Sequence, residues 1–496
     1  MQLLGLDLGS SGIKASLLDV ESGQKIASAT SPKNELTIDV PQPGWAEQDP
    51  EIWWKHIKQA SANVLQAKEA NPEAVKGIGV AYQMHGLVLV DEQHKVLRPS
   101  IIWCDGRAVD IGNKAFEKLG AEYCLEHYLN SPANFTASKL RWVKENESDI
   151  YDKTHKAMLP GDYVAMKLTG QIRTSISGLS EGIFWDYSSR GVASELLDYY
   201  ELSPGLLPDY DPNFAVSGKL TKTAGEELGL PAGIPVGYRS GDQPNNALSL
   251  NVLHPGETAA TAGTSGVIYG VTDQPLYDEF SRVNTFVHVN HDESQSRYGV
   301  LLCINGTGIL NSWLKNTVFN GRYSYQEMNT LASQVEPGAE GVLVLPFGNG
   351  PERVLQQQVV GAQFKNLDFN RHGQAHLIRA AQEGIAFSMN YGLQVMREIG
   401  LNIDTIRVGK SNMFLSRVFC EAFTNTTGLS VELYDSSGAL GAAIGAGIGV
   451  GLFEDREKAF KGLTKTETLH PRTEQTQSYQ AAYSRWCKAL EKELDH

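Results

Sequence analysis

The same short pattern occurs twice in this chain, half a chain length apart. An apolar strand, a tight turn and a second apolar strand are predicted around residues 9–12 (Gly-Ser-Ser-Gly) and again around residues 263–266 (Gly-Thr-Ser-Gly). The two turns are 254 residues apart in a chain of 496. Because a single hydrophobic core stops growing at roughly 250 to 300 residues, we predict two related lobes separated by a cleft.

The breaker-rich segments 231–235 and 251–256 place the predicted lobe boundary near residue 253, which gives domains 1–253 and 254–496. Hydrophobic periodicity alternates between the strand and helix patterns, which favours the α/β class. We predict strands at residues 3–7, 13–18, 77–81 and 87–90, and helices at residues 53–68, 376–399 and 474–496.

Composition excludes several classes of function. The formal net charge is −14 and no Lys/Arg cluster interrupts it, so neither nucleic acid nor an anionic membrane is an expected partner. Five widely spaced cysteines without a CxxC pair argue against a disulfide framework and a zinc site. With no secretory signal pattern and no apolar run of roughly 18 residues, we expect a cytoplasmic protein.

The two turns have the residue types that bind phosphate. Glycine lets the backbone approach a phosphate closely, and the Ser and Thr hydroxyls add donors. The Walker pattern GxxxxGK[ST] is not found in the first half, so a standard P-loop is not expected. Asp7 ends the strand before the first turn, where a carboxylate could hold Mg²⁺. A turn-capping aspartate is an equally good interpretation of the motif alone.

Asp242 follows Gly241 in the segment YRSGDQPNNALSL, just before an apolar run. Pro244 in the following turn predicts that a helix begins here, and its amides would stabilise the carboxylate. A carboxylate in this place can act as a general base for an attacking hydroxyl. From the residues alone, a helix N-cap is the commoner role.

A cluster of polar and aromatic residues follows predicted strands in the first half. Sites for sugars commonly combine hydrogen-bonding groups with a flat apolar face. The cluster consists of Gln83, Met84, His85, Trp103 and Asp105. A lone histidine such as His85 is more often buried and satisfied by neighbours than a ligand-binding group.

Three further segments have weaker signals. Lys139 lies in NFTASKLRWV, where we expect it on the solvent face of a helix with Leu140 and Trp142 packed beneath. Residues 304–313 and 408–416 contain glycine at the start of predicted helices, an arrangement suited to a nucleotide. Ordinary helix entry turns have the same pattern.

Taken in order, the motifs resemble the FGGY family of carbohydrate kinases, and most closely its members that act on xylulose. The motifs are GLDLGSSGIK, GWAEQDPEIWW, AYQMHGLVLVD, RPSIIWCDGR, FTASKLRWVKE, LPGDYVAMKLTG, GDQPNNA and AGTSGV. The resemblance implies two ribonuclease-H-like lobes of the actin, hexokinase and Hsp70 type with ATP and Mg²⁺ in the cleft. It also implies phosphorylation of a ketose, D-xylulose, to its 5-phosphate.

The resemblance extends to single residues. Asp242 matches the catalytic base and Asp7 the metal-associated aspartate. The implied sugar-binding residues are Met84 and His85 with Gln83, Trp103, Asp105 and Asn246 beside them. The implied nucleotide-binding residues are Gly9, Ser10, Ser11, Lys14, Gly263, Thr264, Gly308, Gly409 and Asn412.

Two segments depart from the pattern of the family. The base segment reads GDQPNN where a GDN-type sequence is usual, and residues 409–412 read GKSN where a GGG sequence is usual. The first departure leaves ribulose, gluconate and glycerol as alternative substrates. From another class, a nucleotide-switched binding protein of the Hsp70 or actin kind would share both turns but lack the sugar cluster and the base. A homodimer is compatible with the sequence.

Overall fold

The structure, a computed structural model, describes residues 1–292 and 294–495. Each half of the chain builds one large sheet, and the remaining short strands pair in twos. The strands are β1 Gln2–Leu8, β2 Ile13–Asp19, β3 Lys25–Ser31, β4 Glu47–Gln48, β5 Val75–Tyr82, β6 Val88–Val90, β7 Ser100–Ile101, β8 Lys156–Met158, β9 Arg173–Ser175, β10 Trp185–Asp186, β11 Gly191–Val192, β12 Asp209–Asp211, β13 Val236–Gly241, β14 Glu257–Ala262, β15 Gly266–Thr272, β16 Asn284–Val287, β17 Tyr298–Ile304, β18 Leu343–Phe347, β19 Gly361–Lys365, β20 Thr405–Gly409, β21 Ser430–Tyr434 and β22 Lys465–Leu469.

Helices connect and cover the sheets. They are α1 Pro50–Val64, α2 Val109–Leu119, α3 Ala121–Tyr128, α4 Thr136–Asn146, α5 Ser148–Lys153, α6 Pro160–Thr169, α7 Ile176–Glu181, α8 Ser194–Tyr199, α9 Lys222–Leu228, α10 Asp242–Ser249, α11 Gly308–Trp313, α12 Tyr325–Ala332, α13 Gln374–Glu398, α14 Arg417–Thr427, α15 Gly438–Gly449 and α16 Thr473–Leu494. Within the part of the chain that the structure describes, no helix has the length and apolar character needed to cross a bilayer.

The two large sheets share one topology. In the first, the order is β13-β5-β1-β2-β3, with β1, β2 and β3 antiparallel and β5 and β13 parallel to β1. In the second, β17, β15 and β14 form the antiparallel part and β20 and β21 the parallel part, with β16 and β22 added at the edges. The repeat predicted from the two turns is therefore present in the topology, and the two-lobed α/β fold is confirmed.

The long predicted helices are confirmed with small shifts of their ends. Helix α1 begins at Pro50 because Asp49 caps it, with the carboxylate accepting the Glu51 N–H at 2.9 Å. The helices predicted at residues 376–399 and 474–496 are α13 and α16. The last predicted position of α16, His496, lies outside the described residues.

Helix α15 belongs to the second half of the sequence but packs on the first sheet. Its approach is so close that a Cβ atom on Gly5 would lie 1.8 Å from the Ala439 carbonyl oxygen, and one on Gly79 would lie 2.0 Å from that of Ala442. Glycine is required at both positions because the helix backbone occupies the space of a side chain. The division of the chain at residue 253 stays a prediction. Helix α15 belongs to the second predicted domain but packs on the sheet of the first.

This contact predicts a large stability effect. Gly79→Ala places a methyl group against the α15 backbone. We therefore expect the free energy of unfolding to fall by about 1–3 kcal/mol. Gly191→Ala is the matched control, since a Cβ there meets nothing closer than 3.9 Å. Chemical denaturation of both variants tests the prediction, and equal stability would contradict it.

Candidate active site

The first phosphate-type turn, residues 9–12 between β1 and β2, is closed by hydrogen bonds within its own backbone. The Gly9 N–H donates to the Gly12 carbonyl at 3.1 Å, and the Gly12 N–H donates to the Gly9 carbonyl at 3.4 Å. The indole Nε1–H of Trp103 lies 3.4 Å from the Ser10 hydroxyl, and the Trp103 side chain is itself exposed. The turn and one predicted sugar-site residue are therefore neighbours.

The second phosphate-type turn, residues 263–266, is hydrogen-bonded to the start of α11. The Gly308 N–H donates to the Gly263 carbonyl at 2.9 Å, and the Ile309 N–H donates to the Thr264 carbonyl at 3.1 Å. A Cβ on Gly308 would lie only 2.1 Å from the Gly263 carbonyl oxygen. The Thr264 side chain is exposed. Three of the residues predicted to bind the nucleotide thus form one unit.

Asp7 and Lys14 lie opposite each other in the β1–β2 ladder. The Asp7 carboxylate packs against the start of α15, where a Cβ on Gly438 would meet it at 2.5 Å. Burial raises the pKa of Asp7, and the positive charge of Lys14 offsets part of that rise. An oxygen donor that is desolvated in this way suits a divalent cation such as Mg²⁺.

Asp242 is the first residue of α10, directly after β13. The helix start predicted from Gly241 and Pro244 is confirmed. Burial, and after it the negative charge of Asp7, raises the pKa of Asp242 to about 7, while the Gln243 amide at 3.2 Å acts in the opposite direction. A carboxylate with such a pKa can accept a proton near neutral pH.

Of the sugar cluster predicted from the sequence, Trp103 and Asp105 follow β7, whereas Gln83, Met84 and His85 lie on the loop after β5. Gln83 is fixed there by bonds from its backbone N–H to the Leu8 carbonyl at 2.7 Å and from its side-chain amide to Gln48 at 3.2 Å. The Met84 side chain packs against Gly241, where a Cβ would meet it at 2.6 Å. The loop therefore lies next to both β1 and the residue that precedes Asp242.

His85 adopts a left-handed backbone conformation with φ of 61°. Its ring packs on Phe135 and Phe286, with centroid distances of 4.8 and 5.3 Å, and its Nδ1 lies 2.9 Å from the Glu181 carbonyl oxygen. Burial lowers the pKa of His85 to about 3, and the charges of Lys139 and Arg353 act in the same direction. The imidazole is therefore neutral at physiological pH.

Asp105 is fully buried, and its carboxylate is already engaged. It accepts the Ala46 N–H at 2.5 Å and forms an ion pair with Arg107 at 2.7 Å. The Arg107 guanidinium in turn stacks on Trp45, 3.8 Å from the ring centroid. This geometry favours a role in fixing the loop that follows Trp103 over direct contact with a sugar.

The prediction for Lys139 was wrong. Its side chain is fully buried in α4 and does not face solvent. The ammonium group donates to the carbonyl of His85 at 2.8 Å and to that of Ile102 at 3.0 Å. Burial lowers the pKa of Lys139 to about 8. Helical periodicity marks one apolar face, but it could not show that loops far away in sequence cover the opposite face as well.

The remaining predicted residues lie around these groups. Asn246 follows Asp242 by one helical turn and is half-buried. Gly409 ends β20, and Asn412, with φ of 52°, places its side-chain amide 3.4 Å from where a Cβ on Gly263 would lie. The 409–412 segment thus borders the second turn.

Sequence reasoning missed three charged residues near the site. Glu352 accepts the N–H groups of Asn305 and Gly306, each at 3.0 Å, and so fixes the loop before α11. Arg353 lies over the Phe135 ring at 5.8 Å, and Glu181 is buried beside His85. For Glu181 a signal existed, since an acidic residue in the otherwise uncharged segment ISGLSEGIF is unusual.

Known proteins share these domains and this fold. Residues 2–249 match the N-terminal domain of the FGGY family of carbohydrate kinases, and residues 258–450 match its C-terminal domain. The xylulose kinase of Haemophilus influenzae is 29% identical over 503 residues, which cover 98% of this chain and 99% of that protein. The xylulose kinase of Klebsiella pneumoniae is 29% identical over 445 residues, covering 89% of this chain and 88% of that one.

Among solved structures, the xylulose kinase from Rhodospirillum rubrum superposes with a TM-score of 0.87 at 25% identity and covers 100% of both chains. A protein described as a xyloylose kinase from Brucella ovis superposes with a TM-score of 0.88 at 26% identity and covers 99% of both chains. The family domains together span most of the sequence. This chain therefore belongs to the FGGY family of carbohydrate kinases, phosphotransferases with an alcohol group as acceptor.

Proposed function

We propose that this protein transfers the γ-phosphoryl group of ATP to the C5 hydroxyl of D-xylulose, giving D-xylulose 5-phosphate and ADP. The single observation that carries the proposal is the setting of Asp242, a carboxylate at a helix start with its pKa raised to about 7 beside Asp7. The names of the full-length relatives support xylulose as the acceptor.

Asp242 is the general base of this proposal. It accepts the proton of the attacking hydroxyl as the new P–O bond forms and the bond between the γ-phosphorus and the ADP oxygen breaks. Burial makes the carboxylate a better base than one in water, because the desolvated anion gains more by taking up a proton.

The two turns are proposed to bind the triphosphate. Around residues 9–12 and 263–266, backbone amides and hydroxyls can donate to phosphate oxygens. The missing side chain at Gly308 lets the start of α11 pack directly on the Gly263 carbonyl and so hold the second turn. Lys14 adds a positive charge that already acts on both carboxylates. The desolvated oxygens of Asp7 fit Mg²⁺, which when bound would neutralise charge on the transferred phosphoryl group.

The sugar is proposed to lie against Trp103 and the loop after β5. Gln83, Met84, His85 and Asn246 line this side in the proposal, and Asp105 fixes the loop through Arg107 without touching the sugar. The mixture of a thioether, aromatic faces and hydrogen-bonding groups suits a ketose, whose carbon skeleton and hydroxyls require both.

The test is ADP release in a coupled assay with Mg-ATP across D-xylulose, D-ribulose, L-ribulose, glycerol and gluconate. A kcat/KM highest for D-xylulose is the expected result. Preference for another acceptor would overturn the substrate but leave the role of Asp242 in place. ATP hydrolysis that does not depend on any sugar would overturn the kinase proposal and favour a nucleotide-switched binding protein.

A further inference from the structure

The loop that carries His85 is held by two buried charged residues from distant parts of the chain. A histidine with φ of 61° is in a sparsely populated backbone region, which persists only where the surroundings stabilise it. Here the His85 carbonyl accepts from the Lys139 ammonium at 2.8 Å, and the His85 N–H donates to the Glu181 carboxylate at 3.4 Å. The N–H and the carbonyl of His85 are thus both satisfied by buried side chains.

Lys139 joins two loops of the proposed sugar site. Its second bond, to the Ile102 carbonyl at 3.0 Å, fixes the segment just before Trp103. Within residues 1–292 and 294–495, no carboxylate lies within 4.0 Å of this ammonium group. Burying a charge without a counter-ion at contact distance is costly. The buried position of Lys139 is therefore explained by its hydrogen bonds to the two loops.

The contacts of the His85 ring fix which nitrogen carries the proton. A backbone carbonyl can only accept, so the 2.9 Å contact with the Glu181 carbonyl requires a proton on Nδ1. Since burial keeps the ring neutral, Nε2 is unprotonated. It has no hydrogen-bond partner within the described part of the chain, and His85 as a whole residue is partly exposed. Nε2 is therefore available only as an acceptor.

Glu181 also contacts the strand that carries the base. A Cβ on Gly241 would lie 2.5 Å from the second oxygen of the Glu181 carboxylate and 2.6 Å from Met84. Gly241 directly precedes Asp242. The Glu181 side chain therefore fills the space between the His85 loop and the end of β13, and its position is constrained from both sides.

We propose that Lys139 and Glu181 are positioning residues that hold His85 with an acceptor-only Nε2, so that the site selects a substrate hydroxyl that donates a hydrogen bond at this point. The inference deepens the proposed function and rests on it, because it requires His85 to contact the sugar. As a consequence, one hydroxyl of the acceptor sugar must donate its hydrogen bond to His85 Nε2.

Nitrogen NMR of the wild-type protein tests the polarity directly. The full chain is labelled with ¹⁵N-histidine, and the His85 signals are identified by their loss in His85→Gln. We expect the signals of a neutral ring protonated at Nδ1 at neutral pH. A ring protonated at Nε2, or at both nitrogens, would overturn the proposal. This result does not depend on which sugar the enzyme prefers.

Steady-state kinetics of Lys139→Met and Glu181→Met, each of which removes the side-chain partner of the His85 backbone, test the positioning role. Loss of a hydrogen bond to a charged group costs about 1.5–3 kcal/mol, so we expect the KM for the ketose to rise about tenfold or more while the KM for ATP stays near the wild-type value. Lys144→Met is the matched control, because Lys144 lies in the same helix and bonds Glu201 at the surface.

The outcomes separate the possible failures. An unchanged ketose KM in both folded variants, or an equal rise in the KM for ATP, would overturn the positioning role. If one variant does not fold by its melting curve, the other variant tests the positioning role, and the NMR result still tests the polarity of the ring. If the substrate panel shows another preferred sugar, the proposed substrate fails, and the same KM comparison is made with that sugar.

Substrate analogues test the selection itself. In each analogue one hydroxyl is replaced by hydrogen or by fluorine, which cannot donate. At the position that contacts His85, we expect the fluoro analogue to lose as much kcat/KM as the deoxy analogue, with a smaller loss for both in His85→Gln. A fluoro analogue that performs as well as the parent sugar at every position would overturn the selection of a donor hydroxyl.

Discussion

Asparagine in place of Asp242 is expected to lower kcat for sugar phosphorylation by about 10²- to 10⁴-fold, the usual contribution of a positioned general base. The amide keeps the shape of the side chain and its place at the start of α10, so the KM values for ATP and sugar should change little. Steady-state kinetics measure all three quantities. Turnover near that of the wild type would remove Asp242 from the catalytic role.

The pH dependence provides an independent check on the same residue. The base works only when ionised, so kcat/KM of the wild type should rise with pH through the raised pKa, which is about 7 in the free protein. In Asp242→Asn the residual activity should lack this acidic limb. A limb that persists in the variant would have to come from another group.

As pH rises, Asp242 should lower the stability of the wild type, although it raises the activity. Because the pKa of Asp242 is raised from 3.8 to about 7 in the fold, the folded state holds a proton that the unfolded state releases between these pH values. This residue's contribution therefore makes the wild type less stable as pH rises across that window. Asparagine cannot ionise, so Asp242→Asn should melt higher than the wild type at about pH 8. A lower melting temperature there would indicate a structural defect instead.

Sequence signals were sufficient wherever the cause of a structure is local. The β1–β2 turn is predicted by four consecutive residues between two apolar runs, and the start of α10 by Gly241 and Pro244 within three positions of Asp242. The repeat also predicted the shared topology, because each turn marks the same place in its own sheet. Turn and cap chemistry depends on neighbours in sequence, and these are visible without a structure.

What sequence reasoning could not find depends on contacts between distant segments. The carbonyl that Lys139 binds is 54 positions earlier in the chain, and Glu181 reaches the His85 loop across 96 positions. A charged residue is expected at the surface unless its partners are known, and neither set of partners leaves a periodic pattern. The packing of α15 on the first sheet could not be predicted for the same reason, since its glycines are compatible with close contact to any neighbouring element.

Alanine in place of Gly308 is expected to raise the KM for ATP and to lower kcat/KM for ATP at least about tenfold, which corresponds to about 1.4 kcal/mol. The added methyl group would lie 2.1 Å from the Gly263 carbonyl oxygen and 3.6 Å from the Thr264 nitrogen. Both are backbone atoms of the second phosphate-type turn, so the turn itself must move.

The direction of that movement makes the effect specific to the nucleotide. The loop before α11 cannot retreat freely, because Glu352 binds the amides of Asn305 and Gly306 and a Cβ on Gly306 would already lie 1.8 Å from the Pro346 carbonyl oxygen. The strain therefore falls on Gly263 and Thr264, while the sugar loop after β5 is untouched. Gly373→Ala, where a Cβ meets nothing within 4 Å, is the matched control. Equal KM values for ATP in the two variants would show that the second turn does not bind the nucleotide.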